Sequence, residues 1–172
     1  MITRKSSCIV VFVMVFMAAC NGADQNNQPE PRDSDTASIS PGERFPLTLT
    51  ATELHDDAVF NDGTIPASWI NAGVTDSVSM KMFIRRLQRW VDQNQVDSIA
   101  AHMNFPMKNP GIPDAREFKL NYSNYFSDGV KSALADQPLN QVFRNQQGVM
   151  IGQGQIWLRE NNNNIQIFAI NN

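Results

Sequence analysis

The chain has 172 residues, 14 basic and 17 acidic, with a formal charge of −3 and a hydrophobic fraction of 42%, which suits one folded domain better than two. A pI near 5.3 argues against nucleic acid as a partner, because such binders need a basic stripe to displace counterions from phosphates. Two histidines and two cysteines are too few for a structural zinc site, so neither a metal nor a cofactor is expected.

The chain opens with Arg4 and Lys5, followed by an uncharged apolar run from Cys8 to Ala19. That run suits a signal-peptide core and is shorter than the roughly 17 to 25 residues that span hydrocarbon as a helix. It ends in Met17-Ala18-Ala19-Cys20, which resembles the lipobox of bacterial lipoproteins, with Met17 in place of the commoner Leu. The resemblance implies that the Cys20 thiol receives diacylglycerol, that cleavage falls just before it, and that the new amino terminus takes an acyl chain such as palmitate. An ordinary secretory cut is the alternative, with small residues at Cys20 and Gly22. Lipidation would leave no disulfide, since Cys8 departs with the signal. The family's inner-membrane retention signal is Asp after the cysteine. Here Asn21 stands there, which implies the outer membrane, or the cell membrane where the source has no outer one.

Asn21 to Arg44 is rich in Asn, Gln, Pro, Ser, Thr and Asp, with Ile39 its only large apolar residue. Such a segment buries too little apolar surface to offset its ordering entropy. As a coil it would hold a domain about 25–30 Å from the bilayer. The expected organisation is therefore a signal peptide at 1–19, a tether at 20–44 and a folded domain at 45–172.

Within the domain, Phe45 to Thr52 alternates loosely as an edge strand, and Asn61-Asp62-Gly63 signals a turn. Thr75 or Asp76 can cap a helix to about Gln93, with Met80, Phe83, Ile84, Leu87, Trp90 and Val91 on one face. A shorter helix through Val96, Ile99, Ala100 and Met103 would end at Phe105-Pro106. Asp114 can cap a third helix carrying Phe118, Tyr122, Tyr125 and Phe126, and Ser127 or Asp128 can start a fourth reaching Leu134. Strands follow at Gln141–Phe143, Gly148–Ile151, Gln155–Arg159 and Ile165–Ile170, the last two joined by the loop Asn161–Asn164. Helices followed by an antiparallel sheet make an α+β fold.

The helices, Phe105-Pro106, the Asp-capped aromatic helix, and Phe143-x-Asn145-x-x-Gly148 leading to Gly152-x-Gly154-x-Ile156-Trp157 together resemble the nuclear transport factor 2-like superfamily over Val78–Asn171. The resemblance implies N-terminal helices packed on a curved antiparallel sheet, forming a cone with an internal pocket. Members include isomerases and dehydratases as well as binding modules, so the fold alone leaves function open.

Among candidate residues, His102 is the one plausible general base, with no nearby carboxylate in sequence to orient it. Trp90, Tyr122, Tyr125, Arg144, Asn145 and Trp157 are the pocket candidates, Tyr122 and Tyr125 because their polar tips need partners if buried. Phe105, Phe118 and Phe168 share those elements and read as core. Arg85, Arg86 and Arg89 read as a solvated basic patch, and His55-Asp56-Asp57 as an exposed polar turn rather than a metal site. Gly148, Gly152 and Gly154 lack the spacing of a phosphate loop and read as sheet glycines.

These readings converge on a lipid-anchored envelope protein with a non-catalytic domain that binds a small apolar ligand or an envelope protein. The alternatives are a cofactor-free isomerase, dehydratase or hydrolase using the cone, and an inhibitory or immunity-type lipoprotein.

Overall fold

A computed structural model describes residues 43–172; the signal peptide, Cys20 and nearly all of the tether lie outside the described residues. The described part comprises six α-helices followed by four strands. It is an α+β arrangement in which the sheet is an open antiparallel meander of order β1-β2-β3-β4.

The expected edge strand at Phe45–Thr52 is not formed. Instead Thr50 and Glu53 make a reciprocal capping box that starts α1 (Ala51–Leu54). Two otherwise orphaned backbone donors are satisfied locally, which favours a helical turn over an unpaired strand. Just upstream, Phe45 is buried at 5% exposure. Asn61-Asp62-Gly63 does turn, with Gly63 at φ 83 and Asp62 accepting from the Thr64 amide. A 3₁₀ turn follows at Ile70–Ala72.

Helix α2 (Ser77–Asp92) begins where Asp76 accepts from the Val78 and Ser79 amides. Its face of Met80, Phe83, Ile84, Leu87 and Val91 is buried, as the three-to-four spacing requires. Helix α3 (Val96–Ala100) is shorter than expected, ending before the Phe105-Pro106 stop. The chain then leaves the helix to meet the sheet: Ile167 donates to the His102 carbonyl and Asn104 to that of Ile167, both at 2.8 Å.

The expected third helix is two, α4 (Ala115–Leu120), capped by Asp114, and α5 (Tyr122–Tyr125). The break lies at Asn121, at φ −117, ψ 23. Helix α6 (Asp128–Ala135) follows.

Strand β1 is Phe143–Asn145, two residues later than expected. Strand β2 is Gly148–Ile151. Strands β3 (Ile156–Asn161) and β4 (Asn164–Ile170) extend further than expected. They close through Asn162 and Asn163 alone, at φ 50 and 62, the left-handed conformations that a tight hairpin turn demands and Asn tolerates. Gly148, at φ 140, also admits no side chain, since a Cβ there would stand 2.5 Å from the Leu158 carbonyl oxygen.

Register divides the sheet into two faces. Arg144 pairs with Val149, Val149 with Leu158, and Leu158 with Ile167; all four are buried. This face packs with the helices in one core cluster that includes Ile84, Leu87, Phe118 and Leu134. The alternate residues form the opposite face: Phe143 pairs with Met150, Met150 with Trp157, and Trp157 with Ala169.

Candidate functional site

The side chains proposed from sequence as a pocket are distributed over four places. On α2, Trp90 packs against His102, with ring centroids 4.7 Å apart, and edge-on against Phe83. The His102 Nδ1 lies 2.8 Å from the Ser98 carbonyl oxygen. That contact makes Nδ1 the donor in the neutral ring and occupies it with main chain rather than a carboxylate. His102 is thereby built into a helix–turn contact with aromatic neighbours.

Tyr122 and Tyr125 belong to a second cluster. Tyr125 stacks on Phe118 at 6.1 Å and Tyr122 on Phe126 at 5.2 Å. Phe105 meets the same Phe118 ring. Tyr122 is 8% exposed, and among the described residues its hydroxyl has no hydrogen-bond partner. Burial pushes its phenol up to about 12. The polar tip is enclosed by packing, a cost that hydrogen bonding does not offset here.

Arg144 lies on the inner face of β1 and is 4% exposed, in a polar cluster that sequence reasoning did not assemble. Its guanidinium donates to Asp56 Oδ2 at 2.9 Å and to the Val142 carbonyl at 3.0 Å. It also stacks 4.1 Å over the Trp69 ring. Trp69 Nε1 donates to the same Asp56 oxygen at 2.7 Å. Lys81 of α2 is 1% exposed and reaches Asp56 Oδ1 at 2.8 Å and the Glu53 carbonyl at 2.7 Å. Burial lowers the Arg144 pKa, and the Asp56 charge opposes that shift.

The supposed basic patch divides here. Arg85 is buried and pairs with Glu53, whereas Arg86 stays exposed. Burial raises the Glu53 carboxyl, but bonds from the Thr50 amide and hydroxyl, with the Arg85 charge, outweigh it and leave the pKa below 4.5. Asp57 is likewise engaged, accepting from Asn140 and Gln141, so the polar turn is an anchor. The bonds of Glu53, Asp56 and Asp57 tie the segment around α1 to Trp69, to α2 and to the residues at the start of β1, which is a structural assignment.

The fourth place is the outer face of the sheet. Register shifts between Trp157 and Leu158, leaving Phe168 as an extra residue on β4, a β-bulge. Its ring lies 6.4 Å from that of Trp157 and under the Arg159 guanidinium, at 3.8 Å. These side chains line an open cleft of about 500 Å³ with Gln146, Gln147, Asn109 and Asn171. Asn171 ties the cleft together, accepting from Asn109 at 3.2 Å and donating to the Gly154 carbonyl at 2.6 Å. Asn145 holds the adjoining β1–β2 turn by accepting from the Gln147 amide at 2.8 Å.

Of the predicted residues, then, Trp157 alone lines this cleft, and Asn145 supports its rim. Phe168, Arg159, Asn109 and Asn171 were not singled out as site residues, although the alternation of β3 carried the signal for Arg159. Among the described residues no group of three or more His, Cys, Asp or Glu is placed to hold a metal, and no helix is long and apolar enough to cross a membrane. Comparison of the chain with protein-family models, curated proteins and solved structures gives no match.

Proposed function

We propose that this chain is a lipid-anchored envelope protein, held through Cys20 at the outer membrane, or at the cell membrane where there is no outer one. Its domain binds a partner without catalysing a reaction. The observation that carries this reading is the outer sheet face: Phe143, Met150 and Trp157 follow one another across three strands, and Phe168 bulges beside Trp157. An aromatic platform with a polar border suits recognition. Its openness favours an extended partner over a small apolar ligand, which an enclosed cone pocket would suit better. Kinship with the nuclear transport factor 2-like superfamily belongs to the same proposal, supported by helices preceding an antiparallel meander. The bulge at Phe168 is a device for the curvature that a cone needs. The enzymatic alternative draws little from His102, which packs against Phe83 and Trp90 and does not line the cleft beside Trp157.

Two experiments test the reading. Cys20→Ser should release the protein from the membrane fraction; retention there, with unmodified Cys20 in the wild type, would end the lipid-anchor proposal. A photo-crosslinking residue at Met150 should give a discrete adduct in intact cells, whereas one at Leu120, 71% exposed on α4, should not. Equal labelling at both positions would show that the outer face has no special role.

A further inference from the structure

We infer that the cleft beside Trp157 is a saccharide site, taking a neutral or carboxylate-bearing glycan chain. The inference rests on the outer face being the binding face and names the class of ligand. A pyranose ring offers an apolar face of C–H groups and an equator of hydroxyls. Its recognition therefore needs a flat aromatic surface bordered by groups that both donate and accept hydrogen bonds.

The cleft has both. Trp157 and Phe168 supply the apolar surface, and the border is made of four carboxamides, Asn109, Gln146, Gln147 and Asn171. Each carboxamide presents a carbonyl and an NH₂ group, matching hydroxyl or acetamido partners. Gln146 and Gln147 are exposed at the β1–β2 turn, and no hydrogen bond of their side chains to another described residue accompanies the Asn145 bond to the Gln147 amide. Asn109 and Asn171 are held in place by each other and by the Gly154 carbonyl, so part of the border is oriented before a ligand arrives. Among the described residues the only charged group lining the cleft is Arg159. It is fixed over Phe168 at 3.8 Å, and its cation matches a sugar carboxylate. With no carboxylate among the described lining residues, an anionic glycan meets no repulsion from them, whereas a cationic peptide finds no counter-charge.

Calorimetric titration of the full-length protein in detergent tests this with two probes, neutral chitotetraose and anionic tetragalacturonate. Binding of at least one is expected. Trp157→Ala should weaken it by about tenfold or more, and so should the paired Gln146→Ala and Gln147→Ala change, which touches only an exposed turn and leaves the fold intact. If tetragalacturonate binds, Arg159→Gln should weaken it selectively. A folded protein that binds neither probe, or binds with an affinity that neither the Trp157 change nor the glutamine pair alters, overturns the assignment. In the first case a Met150 adduct to a polypeptide would still uphold the binding-face reading, so the two failures are distinguishable.

Discussion

The two faces of the sheet are written in the same strands, one residue out of step, and they differ in what covers them. Inward, Val149, Ile151, Ile156, Leu158, Ile167 and Ile170 are at most 1% exposed and packed in the helical core. Outward, Phe143, Met150, Trp157 and Phe168 are of comparable bulk and remain half-buried. Large apolar side chains are needed on the first face to stabilise the fold. On the second they stabilise it much less, so their presence there is explained by what they meet from outside. The inner face also carries Glu160, which accepts from Thr75, and the buried Arg144, whose counter-charge is Asp56 at 2.9 Å.

Removing that counter-charge is the severest way to break the inner face. Asp56→Ala leaves Lys81 and Arg144 buried without their carboxylate and should cost about 3–5 kcal/mol, read as a lowered urea midpoint. Leu158→Ala should cost about 2–5 kcal/mol. Its neighbour Trp157→Ala, one residue along and on the other face, should cost only about 1–2 kcal/mol while losing the ligand. Equal destabilisation by the two would erase the distinction between the faces.

A smaller effect is expected at Tyr122, whose enclosed hydroxyl is unpartnered. Tyr122→Phe removes a desolvated polar group and should be neutral or stabilising by about 1 kcal/mol. Because burial raises this phenol to about 12 from 10, the folded state holds the proton more tightly than the unfolded one. Folding stability is therefore independent of this group below pH 10 and declines as pH rises toward 12. Denaturation across that interval should show a decline that Tyr122→Phe removes.

The smallest expected effect is at Glu53, and its sign is opposite. Its folded pKa lies below the ordinary 4.5, so its contribution is present above that value and fades as pH falls through the depressed one. Glu53→Gln should flatten the acid limb of the stability curve while leaving the alkaline limb unchanged.

How much of this was legible in sequence varied with the locality of the cause. Helix α2 was visible because an N-cap and one apolar stripe are local patterns, and the strands because Gly and Asn mark their turns. The Phe45–Thr52 segment reads as a strand because Leu47 and Leu49 imitate alternation, but the Thr50-x-x-Glu53 capping pair decides for a helical turn. From sequence Arg85 belongs to a solvated basic patch on α2, and no pattern marks Lys81 either way. Their burial depends on Asp56 and Glu53, which lie far away in sequence and carry no periodicity pointing to them. The same applies to the cleft: Asn109, Gln147 and Asn171 meet only once β1–β2 and the C-terminal residues are folded together. Trp157 stands out by residue type, but an aromatic residue on a strand has two possible faces, and only the register identifies which one it occupies.

The polar clasp around Asp56 has a mechanical consequence. Tension entering the domain at Glu43 passes Phe45, Glu53 and Asp56 before it reaches α2, and it reaches the first strand, at Phe143, last along the chain. The bonds from Glu53 to Arg85 and from Asp56 to Lys81 and Arg144 stand between that pull and the meander. They are few and charged, so a tug from the amino-terminal side should load this clasp before it loads the strands that carry the aromatic cleft.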